Sequence, residues 1–239
     1  MYDALVAGKA AAVLPGWKAF RFSGPDRKKF LHGLLTADVS GLAAGAATPA
    51  CLLTNKGMLQ AHFWLRDAGE TIEAICPAEC VENFKAGVSK LIMLTESVLE
   101  EIPGEVSLAR LPGGCAAPRF GEGFAFHVGK TTLPPAAPEA FEALRVERAW
   151  PRYGVDVDGG TIPLEAGLED VISFKKGCYF GPETISRIHH LGHVNKLMQL
   201  VELEGETPLG PFRDGKLTSV SWSFSRSRWL GLATLKVSA

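Results

Sequence analysis

The order in which apolar periods alternate between residues 17 and 102 does most to limit the folds open to this chain. Residues 17–22, Trp-Lys-Ala-Phe-Arg-Phe, alternate apolar and polar as a half-buried strand does. Gly24-Pro25-Asp26 then opens a helix, because proline suits the first helical turn and an early carboxylate suits its positive end. Phe30, Leu31, Leu34 and Leu35 form the buried stripe of that helix. Apolar runs at 50–54 and 58–65 flank Asn55-Lys56-Gly57, a connector that reads as a hairpin. A strand over 71–76 leads into a helix over 77–93, whose Val81, Phe84, Val88, Leu91 and Ile92 keep helical spacing. A strand over 97–102 closes the unit. This order predicts an α+β layer, with helices on one face of an antiparallel sheet.

Beyond it, 103–138 is broken by Gly and Pro, with short strands expected over 106–111 and 123–128. A helix over 139–150 would turn Phe141, Leu144 and Ala149 inward. After Asn195, β-like runs at 197–203, 216–220 and 229–237 predict a small all-β module. The chain has 239 residues and is 46% hydrophobic, enough for a substantial core. A net charge of −1 leaves no basic footprint, which argues against nucleic acid as the main partner. Five scattered cysteines do not make a disulfide framework and suit a reducing compartment, so a cytoplasmic location is expected. The apolar stretch 4–14 is interrupted by Gly8 and Lys9 and fits neither a signal peptide nor a membrane helix.

The chemistry concentrates in 162–196. Cys178 stands four residues before Pro182-Glu183, a helix start, with Lys175, Lys176 and Arg187 near in sequence. A helix N-terminus and cations favour a thiolate, whereas a cysteine between Gly and Tyr equally suits packing. Glu165 after Ile-Pro is either a turn carboxylate or an acceptor for a guanidine-like edge such as that of a pterin. Arg187 is either a surface arginine or a fork for a carboxylate tail. Lys175, Lys176, Arg187 and Lys196 together give a neutral protein a local cationic edge, suited to an anionic small molecule. His189, His190 and His193 lack the H-E-x-x-H arrangement, and Cys76-Pro-Ala-Glu-Cys80 has no second pair, so no metal site is expected.

The run Lys176-Gly-Cys-Tyr-Phe-Gly-Pro-Glu183 resembles the K-G-C-[YF]-x-G-Q-E signature of YgfZ-type folate-binding proteins, relatives of the glycine-cleavage T-protein (aminomethyltransferase). Pro163, Glu165 and Leu168 match an upstream P-x-E-x-x-L box, and Arg187 an arginine four residues after the signature Glu. Ser23-Gly-Pro-Asp26, Thr36-Ala-Asp38-Val39 and Thr54-Asn-Lys-Gly57 are similar to the family's N-terminal third. Pro182 stands where the signature has Gln.

The resemblance implies an α+β folate-binding domain over 1–193, in halves of about 1–104 and 105–193 around a central channel, and a minimal β-barrel over 194–239. It implies tetrahydrofolate or a related folate as cofactor, bound through Glu165, Arg187, Lys176 and Tyr179, with Cys178 as the functional thiol. It also implies a role in iron–sulfur cluster assembly or repair, with iron–sulfur client proteins as partners. The alternatives are an aminomethyltransferase-like one-carbon transfer enzyme and a folate-free scaffold. Whether a cluster binds, and the oligomeric state, stay open. The stretch 76–82, matched to the aminomethyltransferase segment that carries an essential aspartate, contains no Asp, which counts against that activity.

Overall fold

The computed structural model describes residues 2–177 and 179–237. A short helix α1 (Tyr2–Val6) and a two-residue strand β1 (Ala12–Val13) precede β2 (Lys18–Ser23) and α2 (Arg27–Leu34). The hairpin β3 (Ala47–Leu53) and β4 (Leu59–Asp67), then β5 (Ile72–Cys76), α3 (Val81–Ile92) and β6 (Val98–Ile102), complete the first unit. Its five strands form one antiparallel sheet in the order β3-β4-β5-β2-β6. The hairpin register runs from Ala47 opposite Arg66 to Leu53 opposite Leu59, with an irregularity between Leu52 and Leu53.

Strand β4 is buried on both faces, so its alternation divides the core. Ala61, Phe63 and Leu65 pack with Leu31, Phe84 and Val88 from the helices. Trp64 points the other way, into a second cluster with Trp150, Phe120 and Phe126. That second cluster is shared with a sheet in the order β1-β7-β9-β8, formed with β7 (Val106–Ala109), β8 (Cys115–Ala116) and β9 (Ala125–Val128).

Helix α4 (Pro138–Glu147) follows, with proline in its first turn. It stops earlier than its apolar spacing predicts, because Ala149 takes a left-handed φ of 49° and swings Trp150 into the core. Helix α5 (Pro182–Leu191) starts at Pro182 as expected. The chain then forms β10 (Lys196–Leu203), β11 (Gly210–Phe212), β12 (Gly215–Ser223) and β13 (Arg228–Lys236), ordered β10-β13-β12-β11. Here the expected barrel is corrected: β10 and β11 are the two edges and do not pair, so among the described residues the sheet is open.

A buried ionic cluster ties this sheet to the rest. Arg145 of α4 donates to Asp156 Oδ2 at 2.7 Å, to the Trp150 carbonyl and to Ser219 Oγ of β12. Asp156 Oδ1 accepts from Thr218 and Ser219, both at 2.6 Å. A buried pair is favourable only when its remaining hydrogen-bond sites are filled, and here they are.

Candidate functional site

Two regions compete for a ligand: the segment bearing the signature, and an aromatic cavity beneath β4. Cys178, the expected functional thiol, lies outside the described residues. Around it, much of the signature is engaged in holding the fold. The Lys176 ammonium donates to the carbonyls of His32 at 2.6 Å, Ala37 at 2.9 Å and Leu35, at the end of α2. Those three bonds use all its donors and satisfy carbonyls that a helix end leaves open. Burial lowers the Lys176 pKa to about 8, against the opposing pull of the Asp38 carboxylate. Tyr179 lies 5.1 Å below the Lys176 ammonium and packs on the main core, where burial raises its pKa to about 12.

Gly181 caps α5 with a φ of 75°, and a Cβ there would sit 2.1 Å from the Thr54 carbonyl oxygen. Only glycine allows the helix start to approach the β3–β4 turn this closely. Thr184 fixes the same contact by donating to the Lys56 carbonyl at 2.9 Å. The two motifs, Thr54–Gly57 and Lys176–Glu183, are thus one packing unit.

Glu165 sits in a 3₁₀ turn (Pro163–Ala166), with 9% of its surface exposed. Its carboxylate accepts from the Ile162 N–H at 3.4 Å and lies 3.6 Å from the Lys196 ammonium. Arg187 lines the same groove, a space of about 450 Å³ with Thr184, Ile188 and His193, and makes no side-chain hydrogen bond among the described residues. The structure therefore brings Glu165 and Arg187 together. Lys176 and Tyr179 line a different depression, with Pro182, Glu183 and His190.

The aromatic cavity has a volume of about 420 Å³ and is lined from β1, β4, the segment after β5, and α4 with its following loop. Trp17, Phe141 and Trp150 form its walls, and Glu79, Glu142 and Arg152 stand among its lining. Trp17 meets Phe141 edge-on at 6.0 Å between ring centroids. Arg152 lies 3.8 Å from Glu79 and 3.7 Å from Glu142, a loose set of rim charges. His62 projects from β4 into this wall, 1% exposed and edge-on to Trp150, and neither ring nitrogen has a hydrogen-bond partner. Planar walls, a few polar groups and this volume suit a drug-sized heterocycle. Of these residues the sequence marked Trp17 and Phe141 only as core, and an alternating strand pattern gives no sign that the imidazole at 62 lacks partners.

The cysteines at 51, 76, 80 and 115 are buried thiols whose pKa burial raises, to about 12 for Cys80 and Cys115. Such thiols stay protonated and unreactive. No group of three His, Cys, Asp or Glu side chains among the described residues is placed to hold a metal ion. No helix among them is long and apolar enough to cross a membrane.

No family model matches the chain. It is 26% identical to a tRNA-modifying protein YgfZ of Serratia proteamaculans, over 79% of this chain and 69% of the relative. A YgfZ protein of Photobacterium profundum is 29% identical, over 83% and 71%. A mitochondrial iron–sulfur cluster assembly factor of Mus musculus is 33% identical over 84 residues, which span 34% of this chain and 24% of the relative. Among solved structures, the glycine cleavage system aminomethyltransferase T from Bartonella henselae superposes with a TM-score of 0.80 at 14% identity. That match covers 98% of this chain and 81% of the other.

Proposed function

We propose, from the premise that the chain is a YgfZ-type protein whose fold is related to that of the aminomethyltransferase T-protein, that it is a folate-binding accessory protein of iron–sulfur cluster assembly or repair. The names of its relatives point to cluster assembly in one case and tRNA modification in others. Service to iron–sulfur enzymes that act on tRNA joins the two.

One observation supports the folate part above the rest: an aromatic-walled cavity of about 420 Å³ that contains a buried imidazole with no partner. A pterin is planar, and its edges carry alternating donors and acceptors. The walls of Trp17, Phe141 and Trp150 suit its faces, and His62 with Glu79 or Glu142 suits its edge. Arg152 at the rim suits the carboxylates of a glutamate tail. When bound, tetrahydrofolate supplies a nitrogen pair that accepts one-carbon units. The chain's own residues bind it, orient it and exclude water from one face. Cys178 is the proposed thiol for transient cluster or redox work, since the four described cysteines are buried and protonated.

A second placement has its own support. Glu165 and Arg187 share a groove, the pair expected for a pterin edge and a tail carboxylate. Calorimetric titration with tetrahydrofolate separates the two. Binding by the wild type, with affinity lowered about 10-fold in Arg152→Gln and unchanged in Arg187→Gln, supports the cavity. The opposite pattern supports the groove, and no heat in the wild type overturns the folate reading. For the thiol, Cys178→Ala is expected to lose rescue of iron–sulfur enzyme activity in a deletion strain; full rescue would remove it from the mechanism.

A further inference from the structure

We propose that His62 is the specificity-determining residue of the aromatic cavity, a neutral imidazole kept without protein partners so that the edge of a bound heterocycle completes its hydrogen bonds. The identity of the heterocycle as a folate rests on the reading above; the role of His62 rests on the geometry of β4. His62 and Trp64 share a face of that strand, opposite the face that buries Phe63 and Leu65 against the helices. His62 is thereby held at the cavity wall by a strand buried on both sides, with Trp150 edge-on at 5.1 Å.

Buried polar groups in folded proteins nearly always have a partner, and a buried imidazole with two unpartnered nitrogens is the exception that asks for a reason. Ser97 and Ser107 are also buried without partners, but each is a small hydroxyl and neither lines this cavity. His62 alone combines an orphaned donor, an orphaned acceptor and a place in the cavity wall. A neutral imidazole offers one N–H and one bare nitrogen, matching the neighbouring C=O and N–H of an amide-like ring edge.

The surroundings hold it neutral. Arg145 and Glu142 face it from α4, Glu79 from the segment after β5, Arg152 and Asp156 from the loop beyond α4, and Arg119 from the turn before β9. Burial, with the guanidiniums of Arg145 and Arg119, lowers its pKa to about 3 against the opposing Asp156. Recognition therefore runs through neutral hydrogen bonds, and a permanently charged ligand group is steered to Arg152 instead.

The test compares wild type, His62→Leu and His62→Gln in melting temperature and in calorimetric titration with tetrahydrofolate. Leucine removes the unpartnered nitrogens, and glutamine keeps one donor and one acceptor. The proposal expects His62→Leu to melt higher than wild type yet bind at least 10-fold more weakly, with His62→Gln recovering most of the affinity. Equal binding by wild type and His62→Leu overturns the role of His62 and leaves the folate reading standing. Weak binding by both variants overturns the donor–acceptor match. If the wild type takes no tetrahydrofolate, the folate reading falls. A stabilised His62→Leu then still supports a site for another heterocycle, and one that melts at or below the wild type overturns the inference as well.

Discussion

The signature segment and the aromatic cavity differ in how their polar groups are used. In the segment, Lys176 has all three donors on backbone carbonyls, Gly181 makes a contact that no other residue allows, and Glu165 accepts from its own turn. In the cavity, His62 has nothing to bond to, and Arg152 is only loosely held between two carboxylates. Residues that a sequence motif makes conspicuous can be conspicuous because the fold needs them. The chemistry still open to a ligand sits where no motif points.

The first way to break this contrast is to remove the segment's structural groups. Gly181→Ala is expected to cost about 3 kcal/mol, because its Cβ meets the Thr54 carbonyl and its backbone is left-handed. Lys176→Met should cost about 2 kcal/mol by orphaning the carbonyls at the end of α2. Denaturant unfolding measures both. If either variant unfolds like the wild type while folate binding is lost, the segment is ligand machinery and the contrast fails.

A smaller effect sharpens the cavity side. The folded pKa of His62, about 3, lies below the ordinary value of 6.5. The unfolded chain therefore binds more protons between those values, and stability falls as pH drops from about 6.5 toward 3. Its contribution is fully present above pH 6.5 and approaches a slope of about 1.4 kcal/mol per pH unit inside that window. His62→Leu should remove that share of the slope, seen by denaturant midpoints at pH 4.5 and 7. An unchanged slope would mean that the imidazole is solvated or partnered.

The legible part of the fold was what local periodicity encodes. The β3–β4 hairpin follows from Asn55-Lys56-Gly57 between apolar runs, α3 from the spacing of Val81, Phe84 and Val88, and the start of α5 from Pro182. The strands at Ala12–Val13 and Cys115–Ala116 are two residues long and carry no period, so only their partners in the second sheet define them. The open C-terminal sheet differs from the expected barrel because closure depends on whether distant edges meet, which alternation within each strand does not record.

The site was legible to a different degree. The sequence brought out Glu165 and Arg187, and the fold places them in one groove. The partners of Lys176 lie 139 to 144 residues away in the chain, so its role as a clamp on α2 could not be read locally. His62 was hidden for the converse reason: it is defined by the partners it lacks.

The most direct test of the cavity as the ligand site follows the imidazole nitrogens of ¹⁵N-histidine-labelled protein during titration with tetrahydrofolate. His62 lines the cavity, His193 the Glu165–Arg187 groove and His190 the depression beside Lys176, so each region carries its own reporter. The account predicts that the His62 resonances move as its nitrogens gain partners, while those of His190 and His193 stay in place. Movement of His193 with His62 unchanged would contradict it.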